Sequence, residues 1–261
     1  MRALTLGIRW AGAATLSVLI TVLVFLPAAW LGPLLENKTG GRITLGDTQG
    51  SLWRGSAFIG VAANDNGPVM PLLPGRLVWH LSPLVLVGLV DATFANVQVL
   101  SQPVTVRGNW TSLTISAASV AVPAERLMAF GAPLNTLQPS GMIRLAWNPM
   151  TLLRTTKGLD LHGVMTLDMI GIGSRLSPVK PLGSYRMHFD WMGNQAGLTL
   201  KTITGSLLLN GSGNLHNSHV QFSGTAEAAA GQEKQLAMIL SLIGQPRHLN
   251  GKNVTDLDFK S

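Results

Sequence analysis

From about residue 40 onward the apolar side chains recur at every second position, and a period of two puts alternate residues on opposite faces of an extended strand. Trp53, Ala57, Ile59 and Val61 oppose Arg54, Ser56, Phe58 and Gly60. Leu77, Trp79 and Leu81 oppose Arg76, Val78 and His80, and Thr93, Ala95, Val97 and Val99 oppose Phe94, Asn96 and Gln98. The same alternation predicts strands over 161–167, 185–191, 198–203, 207–209 and 220–222, and a last one carrying Leu257 and Phe259. Turn signals separate these runs at 64–67, 71–75, 139–141, Gly193 with Asn194, and Asn210 with Gly211. Short alternating runs punctuated in this way predict a meandering antiparallel β-domain. The 29 Gly and 14 Pro, without a collagen-like period, agree with many turns and few long helices.

Two segments depart from this period. Residues 123–130 read as a short helix opened by Pro123 and closed by Gly131. Residues 232–243 place Leu236, Ile239, Leu240 and Ile243 on one face and stop at Gly244 and Pro246. Such a face plugs one end of a sheet more readily than it docks a partner. A weak repeat is also visible: 75–79, 141–147 and 183–191 each open with Gly and end near a Trp, and 50–56 resembles 205–212. Repetition of a strand-hairpin unit would build an elongated, curved sheet. Ordinary strand grammar accounts for the same pattern equally well.

Ahead of the strands, residues 10–35 contain no charge. A bilayer core roughly 30 Å thick needs about 20 apolar helical residues, so this run is long enough to span one. Trp10 and Trp30 stand near its ends as interfacial anchors, and Arg2 and Arg9 precede it. A cleaved signal peptide fits less well, because the small residues at 27–29 lack the usual Ala-x-Ala pattern. The expected organisation is a cytoplasmic leader (1–9), a membrane anchor (10–32) and a β-rich domain (36–261) beyond the membrane. The fold class is mainly β: a single transmembrane helix, then an elongated, curved antiparallel sheet with one or two short helices.

Chemistry is sparse. Without cysteine there is no disulfide or thiolate site. The net charge of +7 comes from single, scattered Lys and Arg rather than a basic stripe, which argues against nucleic-acid binding. Gly171 and Gly173 begin a Gly-x-Gly pattern that continues with Ser174, Arg175 and Leu176 and makes no phosphate loop. The six His are dispersed; His216 and His219 flank a turn, and His80 and His188 take polar-face positions. Asp168 and Asp190 lie singly on strands, and Asp256 and Asp258 share the outward face of the last one. No catalytic group, cofactor site, metal site or small-molecule substrate is expected. An interaction protein is.

The order of features resembles the protein N family of the bacterial type II secretion system. The anchor ends in Leu26-Pro27-Ala28-Ala29-Trp30, and Gly41 and Leu45 lead into Gly50-Ser51-Leu52-Trp53-Arg54-Gly55. Gly75-Arg76-Leu77-Val78-Trp79-His80-Leu81-Ser82-Pro83 follows, and the chain closes with the Leu-rich 236–244 segment and a Gly251 to Asp256-Leu257 strand. Gly50, Ser51, Leu52, Trp53, Gly55, Trp79 and Pro83 are thus the candidate structural motif. The resemblance implies a non-enzymatic inner-membrane component, amino terminus inside and sheet in the periplasm. It would link the inner-membrane platform to the outer-membrane secretin and support export of folded periplasmic proteins. Platform and secretin proteins and membrane lipid are the partners so implied. Two other classes compete: an anchored lipid-handling protein resembling the AsmA type, which needs a continuous apolar trough, and a periplasmic hydrolase, which needs a cleft with a nucleophile and base.

Overall fold

The computed structural model describes residues 10, 15, 17–18, 21–62, 69–131, 134–156, 158–216, 219–249 and 252–260. Within them the chain forms one large antiparallel sheet with a few short helices. A 3-10 turn at Ala28–Trp30 and helix α1 (Leu31–Thr39) precede β1 (Ile43–Gly50), β2 (Arg54–Val61), β3 (Met70–Pro71) and β4 (Leu77–Leu81). Next come β5 (Leu89–Ala95), β6 (Val104–Asn109), β7 (Ser112–Ile115) and β8 (Ala118–Pro123). After the short α2 (Leu134–Leu137) come β9 (Pro139–Trp147), β10 (Met150–Thr155) and β11 (Gly158–Ser174). The last third holds β12 (Gly183–Gly193), β13 (Gln195–Gly205), β14 (Leu207–His216), β15 (His219–Ala228), α3 (Glu233–Ile243), β16 (Gln245–Leu249) and β17 (Lys252–Lys260).

The pairings give a path β1-β2-β4-β5-β6-β7-β10-β11-β12-β13-β14-β15-β17-β16. β3 pairs with the end of β2, and β8 joins through β9. The 17-residue β11 joins the two halves: β10 takes 158–162 along one edge and β9 takes 165–174 along the same edge. Hairpins dominate because each strand ends where turn chemistry begins. At the β6–β7 turn the Asn109 side-chain oxygen accepts from the Thr111 and Ser112 amides. Between β12 and β13, Met192 pairs with Gln195 across the two-residue turn Gly193 and Asn194.

Register keeps apolar residues on one face from strand to strand. Leu81, Ala92, Val106, Ile115 and Met150 form one rung over five strands. Farther along, Trp147, Met165 and Phe189 form another. The helices cover this face in two places. α3 buries Leu236 and Ile239 against Leu182 and Leu207. Leu236 is fully buried, and such burial stabilises by about 1.5–3 kcal/mol. Ala28 is buried against Ala57 and Trp79, with Leu31 of α1, Leu45 and Phe94 around them.

The short helix expected over 123–130 is present as a 3-10 helix, Ala124–Phe130, between Pro123 and Gly131. Other sequence expectations need correction. In β5 the inward residues are Ala92 and Phe94, the opposite parity to that expected for 93–99. The strand ends at Ala95 because the buried Asn96 donates to the Pro74 carbonyl and accepts from the Gln98 amide, leaving Val97 fully exposed. Asn210 and Gly211 lie inside β14 rather than in a turn: a Cβ at Gly211 would sit 2.4 Å from the Phe222 ring. The glycine is there for close approach across the sheet. The 139–141 segment likewise starts β9. The turn expected at 64–67 lies outside the described residues.

The expected anchor lies partly outside the described residues. Residues 10, 15, 17–18 and 21–24 are helical, and the chain turns at Phe25. No helix among the described residues is long and apolar enough to cross a membrane.

Candidate functional site

The motif residues come together at the β1–β2 turn. Ser51 makes an isolated antiparallel bridge with Pro27, and the Leu52 amide donates to the Leu26 carbonyl at 2.8 Å. The indole of Trp53, itself buried, donates to the Leu23 carbonyl at 2.8 Å. The Trp79 indole donates to the Leu52 carbonyl at 3.0 Å, and the Leu81 amide donates to the Trp53 carbonyl at 2.7 Å. The turn is therefore a socket: its backbone and two tryptophans hold the chain at residues 23–28 while tying it to β4.

Gly55 makes the socket possible. A Cβ there would lie 2.5 Å from Cζ2 of Trp79 and 2.7 Å from the Gln49 carbonyl oxygen. The Trp79 ring takes the space that a side chain at this position would fill. Next to it, Arg54 Nε donates to His80 Nε2 at 3.2 Å on the exposed face. Asp47, in a left-handed conformation at the β1 irregularity, is bound by Arg76. Arg76 also donates to the Ser56 hydroxyl and lies 4.8 Å from the Phe58 ring centroid. Its guanidinium, with Gln49, holds the Asp47 carboxyl below the usual carboxylate range.

Pro83 stands at the same end of the sheet, opening a 3-10 turn over Pro83–Val87. Trp10 and Trp30 are both exposed and take no part in the socket; Arg2 and Arg9 lie outside the described residues. Leu26 and Ala28 were read only as the end of the anchor, and Leu23 only as part of its apolar run. The signal was present at 27–29, small residues that make a poor cleavage site, among which Ala28 fits against Ala57 and Trp79.

A second feature is a shallow basin of about 1040 Å³ on the polar face of β12–β17. Two polar rungs line it. His188, Thr199, Ser212, Ser223 and Asp258 form one; Asp190, Gly197, Asn214, Gln221 and Lys260 form the other. Ser223 donates to Asp258 at 2.7 Å. With strands about 4.8 Å apart, His188 and Asp258 stand roughly 19 Å apart along the sheet, too far for a nucleophile-base relay. Among the described residues no cluster of three His, Asp or Glu could hold a metal. The basin offers a broad surface of hydrogen-bonding groups, with Phe222 and Phe259 among its lining.

The family model of the type II secretion system protein N matches residues 41–252, about four-fifths of the chain. The chain belongs to that family. It is thus a component of type II secretion, a machinery of the cell envelope, and the family is not known for enzymes. No curated protein and no solved structure matches the chain. The matched span includes the socket turn, β4 and all of α3.

Proposed function

We propose that this protein is a membrane-held scaffold of the secretion machine. Residues 1–9 would lie in the cytoplasm, the apolar run from residue 10 in the inner membrane, and the sheet in the periplasm, with Leu23–Ala28 as the junction where the run enters the socket. There it links the inner-membrane platform to the outer-membrane secretin and so supports export of folded proteins. The observation that carries this reading is the socket, because a sheet tied by Trp53 and Trp79 to the apolar segment at Leu23–Ala28 has a fixed base.

Partners have two kinds of surface to use. The sheet ends in β1 and β16, where backbone groups can accept an added strand. Both ends are blunted, β1 by the irregularity at Asp47 and β16 by Pro246. Docking on the broad polar face of β12–β17 is therefore favoured over strand addition. The competing lipid-groove reading draws support from the apolar face that runs across the strands. That face is largely filled by its own side chains, Tyr185, Ala196, Leu198 and Leu200 among them, all buried. The scaffold reading is tested by removing residues 36–261 from the chain and pulling down the remainder. Platform and secretin subunits should be lost; their continued recovery would overturn it.

A further inference from the structure

The 3-10 turn Pro83–Val87 presents Leu84, Leu86 and Val87 outward, and Leu89 and Trp110 adjoin it; each is more than half exposed. Scattered exposed apolar residues are ordinary, but five side by side on one tip are not. Hydrogen bonds within the tip occupy several of its polar groups. Ser82 Oγ accepts from the Leu84 amide, the Gly88 amide donates to the Val85 carbonyl, and the Trp110 indole donates to that same carbonyl at 3.0 Å. No charged residue lies between His80 and Asp91. A turn that bonds much of its own backbone and points its leucines outward loses less on leaving water than an open loop does.

Its position selects the occupant. Leu81, at the start of this turn, donates to Trp53, and Trp53 donates to Leu23 of the apolar amino-terminal segment. The tip thus stands at the end of the sheet where that segment joins it, and Val18, Val22, Val24 and Phe25 are themselves exposed. Ala95, at the other end of β5, is roughly 20 Å away at about 3.3 Å per residue.

We infer that the 83–89 tip with Trp110 is a second membrane contact, inserting into the lipid interface beside the anchor and fixing the tilt of the sheet on the bilayer. The inference rests on the anchored reading given above. Trp110 would sit at the headgroup level, the usual place for an amphipathic ring.

The absence of cysteine makes the test clean. Leu86→Cys, Val22→Cys, Val97→Cys and Ile203→Cys are each labelled with an environment-sensitive fluorophore in the full-length chain. The proteins are then reconstituted in phosphatidylcholine–phosphatidylglycerol vesicles with or without nitroxide-bearing lipid. Insertion of about 5–10 Å predicts that nitroxide removes roughly half the emission at 86, as at 22, but not at 97 or 203. Quenching at 22 with a water-exposed label at 86 overturns the tip contact and leaves the anchor standing. Water exposure at both 22 and 86 overturns the anchor as well. A label at 86 shielded from aqueous iodide but untouched by nitroxide lipid means a protein contact, and equal quenching at all four sites means nonspecific adsorption; either overturns the inference.

Discussion

Gly55→Ala probes the socket with the smallest possible change. The added Cβ would lie 2.5 Å from Cζ2 and 2.8 Å from Cε2 of Trp79, and 2.7 Å from the Gln49 carbonyl oxygen. Ordinary carbon contacts are about 3.5–4.0 Å, so the ring or the β1 backbone must shift by roughly 1 Å. Trp79 has little room: it is buried against Ala28 and Ala57 and its indole is held by Leu52. Overpacking costs about 1–3 kcal/mol and losing the indole hydrogen bond about 0.5–1.5 kcal/mol, so about 2–4 kcal/mol is expected. For a chain of this size that lowers the melting temperature by roughly 5–12 °C. Thermal unfolding of the detergent-extracted full chain, followed by near-ultraviolet circular dichroism, reads it directly. Gly197→Ala is the control, since nothing lies within 4 Å of a Cβ there. Adding Trp79→Leu to Gly55→Ala should cost less than the two single changes together, because the clash has lost its partner. If Gly55→Ala melts within about 1 °C of the unaltered protein, the socket is not what holds this turn.

Other consequences are as concrete. Leu236→Ala should cost about 2–5 kcal/mol and make α3 an early site of limited proteolysis, because the side chain is fully buried against Leu182 and Leu207. Tyr185, the one tyrosine of the chain, donates to the Leu207 carbonyl, and burial pushes its phenol above the ordinary value of 10.0. The unfolded chain therefore releases this proton first as pH rises. Tyr185 contributes its stability fully below pH about 10 and loses it progressively above that value, while absorbance of the folded protein shows tyrosinate only at still higher pH. Tyrosinate formation in the folded protein at the ordinary value would contradict the burial. Asp168→Asn should cost less than about 1 kcal/mol in thermal melts although Arg186 grips the carboxylate with two bonds, because the guanidinium side is exposed.

The sheet was legible because alternation is a direct consequence of the pleat. Tyr185, Phe189 and Trp191 share a face in sequence and in space. What failed were places where a local hydrogen bond or a neighbour from a distant strand overrode the local pattern. Asn96 ends β5 through its own side chain, so the parity read through 93–99 does not hold. Gly211 looked like a turn residue because the ring of Phe222, eleven positions later, cannot be seen from its neighbours in sequence. The motif at 50–55 was recognisable as a unit, but its role was not, since its acceptors lie at Leu23 and Leu26 in a segment read only as membrane-spanning. The straddling of β11 by β9 and β10 had no sequence signal either, because pairing partners along one edge are set by topology rather than composition.

The most direct test of the scaffold account is to crosslink the protein in membranes of its own host, extract it, and identify both proteins and lipids in the eluate by mass spectrometry. The account predicts that platform or secretin subunits are recovered with it. Stoichiometric phospholipid without either would contradict it and make the same sheet a lipid carrier.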